Sequence, residues 1–202
     1  MNNSVIVLVL SAAALCASSS AAENAAPTSI AAASQNEEVA RLFAEDQSDR
    51  QPKEGKPIDW AFVGPRDKAR LKRVRQLYTA GELKTGKDYY HAAMILQHGE
   101  QPEDYLLCHE LCVAAVFKSA RSERANWLSD AKWLAAASYD RFLLSIGRRQ
   151  RFGTQFSSSG PRSPSRLDKM EEGVTDELRK VWSVPSLAEA KKREAEMNAT
   201  KK

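Results

Sequence analysis

The sequence predicts an all-α protein, a compact bundle of stacked helical hairpins interrupted by one long basic loop. Two observations carry that prediction. Apolar residues recur three and four positions apart in successive segments, the repeat of a helix with one buried face. No segment alternates with the period of two that marks a half-buried strand.

The N-terminus reads as an export signal. Val5 to Leu15 is a small-apolar run broken by Ser11, shorter than the roughly 20 residues a spanning helix needs. Ser20-Ala21-Ala22 has the small-x-small pattern of a signal-peptidase site, although Met1-Asn2-Asn3-Ser4 lacks the usual Lys or Arg. The expected organisation is a signal peptide over 1–22, cleaved near Ala22, and a linker over 23–36. One helical domain then covers 37–190, and 191–202 form a charged helix end. The mature chain is expected in the periplasm or outside the cell, without a membrane span. A lipid anchor on Cys16 ranks lower, because Leu15 before it is too bulky for that motif.

Each helix then has its own signals. The first is expected over Glu37 to Arg50, with Val39, Leu42 and Phe43 on its apolar side. A second is placed after Gly64, with Pro65 at the first helical position, where a missing N–H is harmless. Leu71, Val74, Leu77 and Tyr78 form its stripe, and Lys68, Arg70, Lys72, Arg73 and Arg75 its solvated face. Asp88 to Gln97 and Pro102 to about Ser119 follow, the latter with Leu106, Leu107, Leu111, Ala114 and Ala115 inside. The longest helix is expected from Glu123 to Ile146, with the stripe Leu128, Ala131, Ala135, Tyr139, Phe142 and Ile146. Residues 148–166, rich in Gly, Ser, Pro and Arg, break the pattern; loops of such length in compact domains are usually functional or disordered. A short helix capped by Thr175 and a last one opening on the capping box Ser186/Glu189 complete the chain.

Composition narrows the function classes. A net charge of +4 over 202 residues is too mild for nucleic acid, which leaves a strongly basic face. Cys108 and Cys112 stand one helical turn apart, where a disulfide would strain the helix, and read as buried thiols. His109-Glu110 is followed by Val113 where a zinc-protease helix needs His, and His91 and His98 have no metal-like spacing to the cysteines. No phosphate-cradling loop, nucleophile elbow or dinucleotide fingerprint is present, so neither a metal nor a cofactor is expected.

Three features stand apart. Asp46 lies on the apolar side of its helix with Arg50 one turn on, which predicts a buried pair. Asp140-Arg141 is embedded in the apolar run Trp133 to Ile146. From Arg141 through Arg166 there are six Arg and no acid, and Gln150, Gly153, Thr154 and Gln155 lie among them. Taken singly, each also reads as structure: an ion-pair lock, a solvated helix rim, a basic loop. In order, Asp46-Gln47-x-x-Arg50, Gln97-His98-Gly99, Asp140-Arg141 and Gln150-x-x-Gly153-Thr154-Gln155 resemble the motifs of an uncharacterised bacterial family, a domain of unknown function. The resemblance covers most of 37–190 and is most specific at Gly-Thr-Gln; Phe152 stands where a Tyr is expected in relatives. It implies that these positions act together and implies no activity. A weaker likeness, to tetratricopeptide-type hairpins, covers Tyr90 to Gly99, Asp104 to Ala120 and Trp127 onward, and implies hairpin packing only.

Two functions compete on this reading. In the first, the chain is a binding module for a protein partner, and the buried polar set fixes helix register. In the second, it is an enzyme or receptor for a small anionic ligand. Gln47, Arg50, Arg141, Gln150, Gly153, Thr154 and Gln155 would then bind the ligand. His98 would act as general acid or base, oriented by Asp46 or Asp140, with hydrolysis by activated water as the most concrete form. The discriminating expectation is convergence, with Thr154 or Gln155 reaching Arg141 or Asp46 across the helix ends.

Overall fold

Helix α1 (Glu37–Asp49) starts at Asn36, whose side chain accepts the N–H of Val39 at 3.0 Å, as a helix N-cap does. The computed structural model describes residues 33–51, 57–119, 126–160 and 163–199; the signal-peptide and Cys16 expectations lie outside them. The remaining helices are α2 (Trp60–Thr79), α3 (Gly86–Leu96), α4 (Pro102–Ser119), α5 (Trp127–Ser145), α6 (Asp176–Val181) and α7 (Leu187–Ala199). The all-α class is as the sequence predicts. Added to the helices is a small antiparallel pair, β1 (Phe156–Ser157) with β2 (Arg166–Leu167), which closes the long loop at its base. α7 continues through the boundary expected after 190 and packs on β2. There Asn198 accepts the N–H of Ser165 at 2.7 Å and donates to its carbonyl at 2.9 Å.

α2 begins five residues before Pro65 rather than at it. Asp59 is the reason: its side chain accepts the N–H groups of Ala61 and Phe62, so the helix is nucleated upstream and Pro65 lies inside it. α3 likewise starts early, on a capping box between Thr85 and Asp88. Asp88 is fully buried and also accepts the backbone N–H of Asn36 at 2.9 Å, which ties the start of α1 to the start of α3.

α4 packs between α3 and α5, while α1 and α2 pack on α3 and on each other. Small residues let α4 and α5 approach: Ala131, Ala135 and Ala136 are fully buried, and Nδ1 of His109 donates to the carbonyl of Ala135 at 2.8 Å. The apolar stripes differ in detail from expectation. Tyr78 and Ile146 are exposed, and Leu134 and Leu143 fill the α5 face instead, because α5 buries a broad sector rather than a narrow line. Cys108 and Cys112 are free and buried, and Cys108 donates to the carbonyl of Ala93. Burial, with Cys108 beside it, holds the Cys112 thiol well above its ordinary pKa.

His91 is a core residue. Its ring stacks on Phe43 with centroids 4.2 Å apart, and its shielded Nδ1 has no hydrogen-bond partner. Burial, reinforced by Lys87 and opposed by Asp88, lowers its pKa from 6.5 to about 4. The unfolded chain therefore takes up a proton between those values while the folded chain does not. The stability held above pH 6.5 is lost as pH falls to about 4, by up to ~2–3 kcal/mol. His91→Phe keeps the stack and removes the titration, so urea denaturation should find the variant's advantage growing steadily below pH 6.5. An advantage that does not vary with pH would mean that His91 does not titrate this way.

Candidate functional site

Two polar constellations form where the helices end. The first is built on α1 and α2. Asp46 occupies the inward side of α1 because it continues the spacing of Val39, Leu42 and Phe43, and it is fully buried. Its Oδ1 accepts from Nη1 of Arg50 at 2.7 Å, and its Oδ2 accepts from Gln47 at 2.9 Å. Arg50 also donates to Asp67 of α2 at 2.6 Å. Arg70 completes the array, donating to Asp49 at 2.7 Å and to Asp67 at 2.6 Å, with its Nε 3.8 Å from Asp46.

Arg70 is 3 % exposed, so it does not belong to the solvated face expected of α2. Burial works against its charge, and the hydrogen bonds it donates to Asp67 and Asp49 more than offset it, raising its pKa. Burial raises Asp49 in turn, and the donors Arg66 and Arg70 outweigh that and lower it. Arg73 and Arg75 are engaged as well, with Glu38 and Asp104 respectively.

The second constellation joins α5 to the segment after it. Asp140 is fully buried and gathers four donors. Oδ1 accepts the N–H of Arg151 at 2.7 Å and of Phe152 at 2.8 Å; Oδ2 accepts the N–H and the hydroxyl of Thr154 at 3.0 and 2.8 Å. Gln150 spans the same loop, donating to the carbonyls of Gln155 and Asp168 and accepting the N–H of Gln155 at 2.9 Å. Gly153 makes the turn at φ +73°, and a Cβ there would lie 2.9 Å from the sulfur of Met170. Buried Arg179 holds the far side by donating to the Phe152 carbonyl.

The two constellations meet at the end of α3. Arg141 donates to Gln155 at 3.2 Å and to the carbonyl of Gln97 at 2.8 Å. The next residue, His98, places its shielded Nε2 3.5 Å from Oδ2 of Asp46. Convergence of the loop on Arg141 is therefore found, while Thr154 goes to Asp140 and not to Asp46. Asp46, Gln47, Arg50 and His98 form one group, and Asp140, Arg141, Gln150, Gly153, Thr154 and Gln155 the other. Asp49, Asp67, Arg70 and Arg179 belong to these networks although the sequence reading did not single them out. For Arg70 a signal existed, since it shares the spacing of buried Val63, Val74 and Leu77.

The α3–α4 turn brings the first group to the surface. Gly99 is obligatory there: a Cβ would overlap the Asp104 side chain, whose carboxylate accepts the N–H of Gln101 at 3.0 Å and caps the turn. Between this turn and α2 lies a cleft of about 380 Å³, with Asp67 and His98 in its wall beside Trp60, Lys68 and Leu71. A smaller cavity of about 150 Å³ lies outside Gly153 and Thr154, against Trp133, Phe156 and Arg193. Among the described residues no three His, Cys, Asp or Glu side chains are grouped to hold a metal ion, and no helix is long and apolar enough to cross a membrane. Comparison with protein-family models, curated proteins and solved structures finds no match to this chain.

Proposed function

We propose that the chain is an exported helical binding module whose small ligand occupies the cleft between α2 and the α3–α4 turn, with His98 as its contacting polar group. The observation that supports this reading is the position of His98. Its Nε2 is turned inward to the Asp46 carboxylate, while its side chain, 24 % exposed, forms part of the cleft wall. The Asp46 carboxylate lies 3.5 Å behind this nitrogen without a hydrogen bond between them, so a ligand in the cleft meets the exposed remainder of the side chain. The Asp140 constellation supports the site indirectly, since its donors and acceptors are taken up in holding the loop and, through Arg141, the end of α3.

The ligand-binding roles expected of Arg50 and Arg141 are not retained in this proposal, because both guanidinium groups are engaged by internal acceptors. A catalytic version of the same site would use His98 as a base toward water.

Amide chemical-shift mapping with a fragment collection tests the reading. Fragments should shift the amides of Gly64, Gly99 and Glu100, and His98→Ala should weaken those binders at least tenfold, about 1.4 kcal/mol. Fragments that gather elsewhere and spare the cleft would overturn it.

A further inference from the structure

We infer, resting on the reading of the cleft as a ligand site, that its ligand is a small zwitterion with an apolar body, of the chemical class of a free α-amino acid. The charges in the wall carry the inference. Asp67 is bound by Arg50 and Arg70, Asp104 by Arg75, and His98 faces Asp46. Two charges are left. Lys68 on α2 and Glu100 on the turn are exposed, and among the described residues neither has an ion-pair partner. They line one cleft, the cation from α2 and the carboxylate from the α3–α4 turn.

The α2 wall supplies the apolar part. Trp60, Gly64 and Lys68 are four residues apart and therefore share one side of the helix. The indole of Trp60 is 62 % exposed, and a Cβ on Gly64 would have nothing within 4 Å, so space is open between the indole and the Lys68 ammonium. A ligand carboxylate against Lys68 and a ligand ammonium against Glu100 neutralise both charges, and its side chain covers Trp60 and Leu71. A purely anionic ligand would meet the uncompensated Glu100 carboxylate, and a purely cationic one the Lys68 ammonium, so each loses one attraction and gains a repulsion. The volume of about 380 Å³ is in the range of small-molecule sites.

The probes are L-phenylalanine and L-leucine, with phenethylamine and hydrocinnamate as analogues of the first that lack one charge. Shift mapping on the intact chain should place both amino acids at Gly64, Gly99 and Glu100, with each analogue at least tenfold weaker. Lys68→Met and Glu100→Gln, both surface changes, should each weaken L-phenylalanine by a similar factor. Equal binding of the three phenyl compounds overturns the zwitterion. So does a cleft that takes other fragments and neither amino acid, in which case the ligand site itself stands. If no compound of any kind shifts the cleft amides, both inferences fall.

Discussion

Replacing Asp140 with asparagine is expected to lower the unfolding free energy by about 2–4 kcal/mol, the result of leaving one or two buried donors without an acceptor. The carboxylate has no solvent contact, and all four of its partners are donors: three backbone N–H groups and the Thr154 hydroxyl. An amide nitrogen in place of either oxygen would turn further donors toward donors. Depending on which oxygen is replaced, the N–H groups of Arg151 and Phe152 or the N–H of Thr154 would then be buried without an acceptor, each at about 1–3 kcal/mol. The loss should be local before it is global. Hydrogen exchange should find the amides of Arg151, Phe152 and Thr154 deprotected while those of α3 and α4 keep their protection. Unchanged denaturation midpoints with all three amides still protected would remove Asp140 from this role.

Charged residues inside apolar periodicity were the legible part of the site. Asp46 continues a stripe and Asp140 interrupts an apolar run, and both prove fully buried. Arg70 obeys the same spacing with Val63, Val74 and Leu77. It was obscured by Lys68, Lys72, Arg73 and Arg75, which make a buried arginine look like one member of a solvated row. The Asp46–Arg50 pair was legible from its one-turn spacing and forms at 2.7 Å, whereas the donors that meet Asp140 could not be read. Thr154 reaches Asp140 because Gly153 reverses the chain at positive φ directly over α5, a matter of tertiary placement and not of residue type. Helix starts failed where a side-chain cap outweighed a stronger-looking signal, as Asp59 did over Pro65. The cleft was also illegible, because a concavity depends on how α2 stands against the turn at Gly99.

Arg70→Met is expected to be comparably damaging, about 3–5 kcal/mol at neutral pH, and its pH dependence separates charge from packing. In the native protein Arg70 donates to Asp49 and Asp67 and lies near Asp46; without it, Arg50 and Arg66 alone face the three carboxylates. Methionine keeps much of the alkyl volume, so the change is mainly electrostatic. Asp49 fixes the sign. Its folded pKa is lowered from 3.8, so its stabilising contribution is present above that value and is lost as pH falls through the folded one. In the variant that contribution is already weakened at neutral pH. The gap between wild type and Arg70→Met should therefore be widest near pH 7 and narrow below about pH 4 as the carboxylates take up protons. Urea denaturation across that range measures it, and a gap that stays constant would assign the role of Arg70 to its stem. The double variant Arg70→Met/Asp49→Asn should recover part of the loss at neutral pH, since removing one of three crowded carboxylates relieves the repulsion that the missing guanidinium had cancelled.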